Sequence, residues 1–158
     1  MPLWLNIALF QAGWWACVLS AAAGFPSAGV AVSAVAIAAN IYFLGYRVVM
    51  LVAAAIGIGF ASDTALIRAA AIGFPGHPAL APMWMLALWG NFAAALPVSM
   101  AWLTGRYVLA AALGGLAGPA SYLAGQSFGA IHVGNPWMVA LEWLVALPLL
   151  VRISERLP

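Results

Sequence analysis

Charge is what this sequence has least of. Of 158 residues, 5% are charged; there is no lysine, and five arginines face three acids. An average soluble domain is roughly 25% charged. A chain so poor in charge, 67% hydrophobic with a mean hydropathy of +1.10, could not cover its own core in water. Lipid is therefore its solvent. A net charge of +2, without a clustered basic face, excludes nucleic-acid binding. The single cysteine, Cys17, excludes disulfides and multi-cysteine metal sites, and within its apolar run it reads as a buried inert thiol. His-Glu-x-x-His, Gly-x-Ser-x-Gly, Walker and Cys-x-x-Cys motifs are all missing. Asp63 is the one aspartate, so an aspartyl dyad is excluded as well. No nucleophile is evident and no catalytic residue is assigned. These absences point away from an enzyme, and no cofactor or metal site is expected. His77 and His132 form only a weak metal signal.

What remains is a succession of apolar runs divided by short turns. Six spans are expected: Trp4 to Ala23, Gly29 to Tyr46, Val48 to Ile67, Pro82 to Leu103, Tyr107 to about Gly125, and Trp137 to Val151. Most are close to the roughly 20 residues that a bilayer core requires. The last is the shortest, ending before a polar tail from Arg152. Trp4 to Ala23 differs from a secretory signal in lacking an N-terminal basic residue and in its longer apolar run. Pro82 and Asn135-Pro136 suit helix starts. Tyr42, Tyr46, Trp84 and Trp102 suit interfacial anchors. The fold class is all-α, a polytopic transmembrane bundle of six helices forming a single domain over residues 1–158. An N-in/C-in orientation puts Arg47, Arg106, Arg152 and Arg156 inside and only Arg68 outside. The positive-inside rule favours that arrangement.

Small residues form two stripes. Gly114, Gly118, Ser121, Gly125 and Gly129 share a face of the fifth helix, and Ala8, Ala12, Ala16, Ser20 and Gly24 form a ladder on the first. Such stripes let helix backbones approach closely. The bland reading is bundle packing; the sharper one is docking of a partner protein through Ala8, Ala12 and Ala16.

The few polar residues inside the spans are the candidate site. Asp63 lies roughly 24 Å along its helix from Arg47, Glu142 about 9 Å below the opposite surface, and Asn91 roughly 13 Å deep, at about 1.5 Å per residue. Tyr122 and Gln126 fall in the same outer half, with Gln11 near mid-membrane. An outward-facing cavity lined by Asp63, Asn91, Glu142, Tyr122, Gln126, Gln11 and Trp89 would collect them. Trp14, Trp15 and Trp89 read either as core packing or as an aromatic pocket. Each polar residue also has a structural reading. Asp63 would pair with Arg68 or donate as a neutral acid, Glu142 would fasten helices, and Asn91 and Gln11 would form interhelical hydrogen bonds.

A scatter of positions supports a family resemblance: Asn6, Phe10-Gln11, Gly13-Trp14, Gly57, Asp63, Pro82-Met83-Trp84, Leu88-Trp89, Phe92, Gly118-Pro119, Tyr122 and Gly125. Across nearly the whole chain they resemble a bacterial domain-of-unknown-function family of short polytopic inner-membrane proteins. The resemblance implies a multi-pass protein of the bacterial inner membrane in contact with membrane lipids, whose gene sits near those of lipid-modifying enzymes. It carries over no activity. In plan alone, the chain is also similar to the substrate-binding membrane subunits of vitamin transporters. The functional expectation is binding or passage of a small molecule or lipid. The alternatives are an enzyme or accessory subunit of membrane-lipid modification, with Asp63 and Glu142 as acid and base, and a structural scaffold.

Overall fold

The computed structural model describes residues 1–76 and 79–157; the expectation for His77 lies outside the described residues. The helices are α1 (Leu3–Ala22), α2 (Pro26–Leu44), α3 (Arg47–Arg68), α4 (Met83–Ser99), α5 (Tyr107–Ser127) and α6 (Pro136–Arg156). All except α4 are long and apolar enough to cross a membrane; α4 is an apolar helix of 17 residues. The chain is an all-α bundle of membrane-spanning character, as its composition requires.

Local chemistry sets the helix ends. Pro26 occupies the first turn of α2, where a missing N–H leaves no bond unmade. Gly45, at φ +83°, stops that helix in a conformation costly to a side chain. The Asn135 side chain accepts from the Trp137 and Met138 amides at 3.1 and 3.4 Å, capping α6. The expected boundaries of α4 and α6 differ from those found. The fourth helix stops at Ser99, and Ala101–Leu103 form a separate 3₁₀ turn. The sixth extends five residues past Val151, so α4, and not α6, is the shortest helix. The polar tail stays helical because it has partners. Arg152 donates to the Tyr107 hydroxyl at 2.8 Å, and Glu155 accepts from the Gly105 amide at 2.7 Å and from the Tyr107 hydroxyl.

These contacts join the C-terminal end of α6 to the start of α5. At the same end of the bundle, Asn6 Nδ2 donates to Asn40 Oδ1 at 2.8 Å, and Asn6 Oδ1 accepts from the Ser99 amide at 3.1 Å and from its hydroxyl. Both termini therefore share one end. At the distal end, Ile72–Gly73 (β1) pairs antiparallel with His132–Val133 (β2), a short ladder absent from the expected helical pattern. Trp84 also departs from its expected anchoring role. It is buried there, edge-on to Phe74 with ring centroids 5.5 Å apart.

The helices pack in two groups. In one, α4 lies against α1, α2 and α3; in the other, α5 lies against α6. Of the glycine stripe, Gly114 and Gly118 belong to the second contact, whereas Gly125 meets Ile131 and Gly129 lies beyond the end of α5. A Cβ on Gly114 would stand 2.2 Å from the Trp143 carbonyl oxygen, so only glycine admits that backbone approach. Ala8 and Ala12 are exposed on α1, whereas Ala16 is half-buried and its carbonyl lies close to Gly29 of α2. No close helix packing joins α1 to α5, and a cavity separates them.

Candidate functional site

The cavity between the two helix groups has a volume of about 490 Å³. It extends from Met100, Trp102 and Leu103 at the termini end to Trp84 and Ile131 at the distal end. Trp14, Trp15, Leu88, Trp89, Phe92 and Trp143 supply much of its wall. Trp14, Trp15 and Trp89 all face this cavity, and Trp89 is at the same time a fully buried member of the core, with Trp14 packed against it. The polar contribution is small and neutral: Gln11, Ser121 and Tyr122. Trp14 Nε1 donates to Ser121 Oγ at 2.9 Å, bridging α1 and α5. Beside that bridge, the rings of Trp15 and Phe128 meet edge-on, with centroids 5.6 Å apart.

One wall is built by glycines and indoles from four helices. Trp89 of α4 lies against Gly59 of α3, where an added Cβ would come within 2.3 Å of its ring. Trp143 of α6 lies against Gly118 of α5 in the same way, at 2.4 Å. The two indoles stack with centroids 4.5 Å apart and planes 12° from parallel. One helical turn beyond each glycine comes a polar residue on the same face, Asp63 after Gly59 and Tyr122 after Gly118.

Those two polar residues meet. Asp63 is fully buried, and its carboxylate accepts from the Tyr122 hydroxyl at 2.6 Å and from Trp89 Nε1 at 2.8 Å. Tyr122 and Trp89 line the cavity, so Asp63 stands directly behind its wall. The expected pairing of Asp63 with Arg68 is not made: the Arg68 side chain is exposed, and Arg152–Glu155 is the one ion pair among the described residues. Glu142 has Asp63 and Ser62 as polar neighbours. Both its carboxyl oxygens are buried, and neither has a hydrogen-bond partner; the same is true of the Ser62 hydroxyl and of Trp143 Nε1.

The other expected residues lie elsewhere. Asn91 sits in the α1–α4 contact, where Nδ2 donates to the Phe10 carbonyl at 2.9 Å and Gly13 leaves room for its amide. Gln126 Oε1 accepts from the Val133 amide at 2.6 Å and so ties down the distal ladder. Asp63, Tyr122, Trp89 and Glu142 are therefore brought together, while Gln11 faces the cavity apart from them. Of the seven, only Gln11, Trp89 and Tyr122 line the cavity. Its wall is apolar, unlike the expected polar cavity. Depth along each helix can be read from residue number, but azimuth cannot, and azimuth separates Asn91 and Gln126 from the rest. Sequence reasoning missed Gly59, Ser62 and Trp143. The available signal was spacing: Gly59 and Asp63, like Gly118 and Tyr122, are four residues apart.

No curated protein and no solved structure matches the chain. Residues 3–149 match a family profile described as "Protein of unknown function (DUF2878)". With nearly the whole chain inside that match, the protein belongs to the DUF2878 family.

Proposed function

We propose that this protein binds a membrane-soluble small molecule or lipid in the cleft between α1–α4 and α5–α6. The observation that carries the reading is the cavity itself. About 490 Å³ lies within the roughly 300–1,000 Å³ typical of ligand pockets. Its aromatic lining suits a hydrocarbon body, while Gln11 and Ser121 offer neutral hydrogen-bonding groups. The bridge at Trp14–Ser121 and the Trp15–Phe128 contact lie where a ligand would pass between α1 and α5.

The alternatives account for less. An acid–base enzyme would need Asp63 free to exchange a proton with substrate, yet both its oxygens are engaged behind the wall. A scaffold accounts for Asn6, Asn40 and Asn91 but not for the cavity. The grouping of Arg47, Arg106, Arg152 and Arg156 at the termini end supports an N-in/C-in orientation. Exposure of Ala8 and Ala12 leaves that edge of α1 available to a protein partner.

Native mass spectrometry of detergent-purified protein, with extraction and identification of any retained small molecule, tests the reading. The wild type is expected to retain a hydrophobic adduct that Ala117→Trp, which fills the cavity from α5, releases without unfolding the bundle. Failure to retain an adduct, or equal retention by the folded variant, would overturn it.

A further inference from the structure

Of the three polar side chains in the cavity wall, Gln11 is the one the fold itself does not use. Ser121 accepts from Trp14, and Tyr122 donates to Asp63 behind the wall. Gln11 lines the same cavity, is exposed, and bonds no described residue. Its place along α1 makes that costly. At about 1.5 Å per residue it stands roughly 12 Å from the start of the helix and roughly 17 Å from its end, close to mid-membrane. The wall around it is apolar, and apolar cavities stay dry. An amide at that depth needs a partner that is neither water nor lipid tail.

The same wall carries no charge. Among the described residues no Arg, His, Asp or Glu lines the cavity. A phosphate or ammonium brought to mid-membrane would need a partner of opposite charge. Asp63 offers none to an ammonium, because Tyr122 and Trp89 take its oxygens and stand between it and the cavity.

We propose that Gln11 selects the ligand of the cleft, an uncharged lipid whose hydroxyl or carbonyl group reaches the bilayer centre. A phospholipid does not meet that description. The assignment rests on the cleft being a ligand site and names the class of molecule that enters it. A primary amide both donates and accepts, so it pairs with either group. Phe10, Trp14 and Trp15, its neighbours along α1 in the wall, suit the hydrocarbon body.

Six of the eight tryptophans line the cavity, so quenching of their emission by a brominated chain reports occupancy. Purified protein in dodecyl maltoside would be titrated with 9,10-dibromooctadecan-1-ol, and with 9,10-dibromooctadecane, the same chain without a head. The alcohol is expected to quench saturably. Hexadecan-1-ol should displace it; dioleoylphosphatidylglycerol and hexadecyltrimethylammonium should not. Gln11→Leu should lower the affinity for the alcohol relative to the alkane by about two- to tenfold, as for one neutral hydrogen bond. Taking the ratio cancels the partition of each probe into micelles, and a purely structural role for Gln11 would move both affinities together. Saturable quenching by neither probe would overturn the cleft as a binding site, and the ligand class with it. Saturable quenching relieved as well by either charged lipid as by hexadecan-1-ol, or a ratio unchanged in Gln11→Leu, would overturn the ligand class and leave the cleft standing.

Discussion

The indoles of Trp89 and Trp143 stack 4.5 Å apart, and each rests on a glycine of a neighbouring helix, Gly59 for the first and Gly118 for the second. Four helices thus meet through two rings and two missing side chains. Adding a methyl group at either glycine forces an indole out of the stack. Gly59→Ala and Gly118→Ala should each destabilise the bundle by about 1–3 kcal/mol, the usual cost of overpacking. Gly57 is the internal control, because a Cβ there meets nothing within 4 Å. Gly57→Ala should be neutral or gain up to about 1 kcal/mol from helix propensity. Reversible unfolding in mixed micelles gives the energies, and loss of the near-ultraviolet dichroism of the coupled indoles locates the damage. Equal stability of all three variants would refute the packing argument.

The hydrogen bond from Trp89 to Asp63 leads to a separate expectation. Trp89→Phe removes the donor and leaves Asp63 Oδ2 buried without it, which should cost about 1–3 kcal/mol. The same change made beside Asp63→Leu should cost less, because no acceptor is then stranded. A double-mutant cycle should therefore show a coupling of at least about 0.5 kcal/mol. Additive effects would mean that Trp89 acts through ring packing alone.

How much of this was legible beforehand depends on whether it concerned position along a helix or rotation about it. The six helices followed from runs of apolar residues, and the place of Asp63 near the distal end of α3 followed from its distance along the chain to Arg47. Rotation is set by tertiary packing. Asn91 looked like a companion of Asp63 in the outer half, yet its amide is engaged in a different contact, beside Gly13 on α1. Gln126 looked like a cavity residue because it falls in the same outer half as Tyr122; a backbone amide in a β-ladder that no periodicity announced claims it instead. The buried hydrogen bond of Tyr122 to Asp63 joins residues 59 positions apart, a pairing that no local pattern encodes.

Gly13 and Asn91 provide a test of that rotational argument. A Cβ on Gly13 would lie 2.3 Å from Asn91 Nδ2. Gly13→Ala should therefore displace the amide and break its bond to the Phe10 carbonyl, costing about 1–3 kcal/mol by overpacking. Asn91→Ala alone should cost roughly 0.6–2 kcal/mol, the range for interhelical hydrogen bonds in membranes. In the double variant the clash is gone, so its loss should be smaller than the sum of the two. Unfolding in mixed micelles measures all four proteins. A sum that holds would place Asn91 elsewhere than beside Gly13.

Orientation can be tested with the cysteine the chain barely uses. Cys17 is buried against Ser33, and Cys17→Ser provides a background for single introduced thiols. Thr104, between the 3₁₀ turn and α5, is exposed at the termini end; His132 is exposed at the distal end. With four of five arginines at the termini end, that end should face the cytoplasm. In intact bacterial cells a membrane-impermeant maleimide should label His132→Cys and spare Thr104→Cys, and permeabilisation should make Thr104→Cys reactive. The arginine asymmetry acts during insertion, so moving it should move the topology: replacing Arg106 and Arg152 with glutamine while adding arginines beside His132 should increase the fraction with Thr104→Cys labelled from outside. If Thr104→Cys reacts in intact cells before any arginine is moved, the orientation is the reverse, and the distal ladder lies in the cytoplasm.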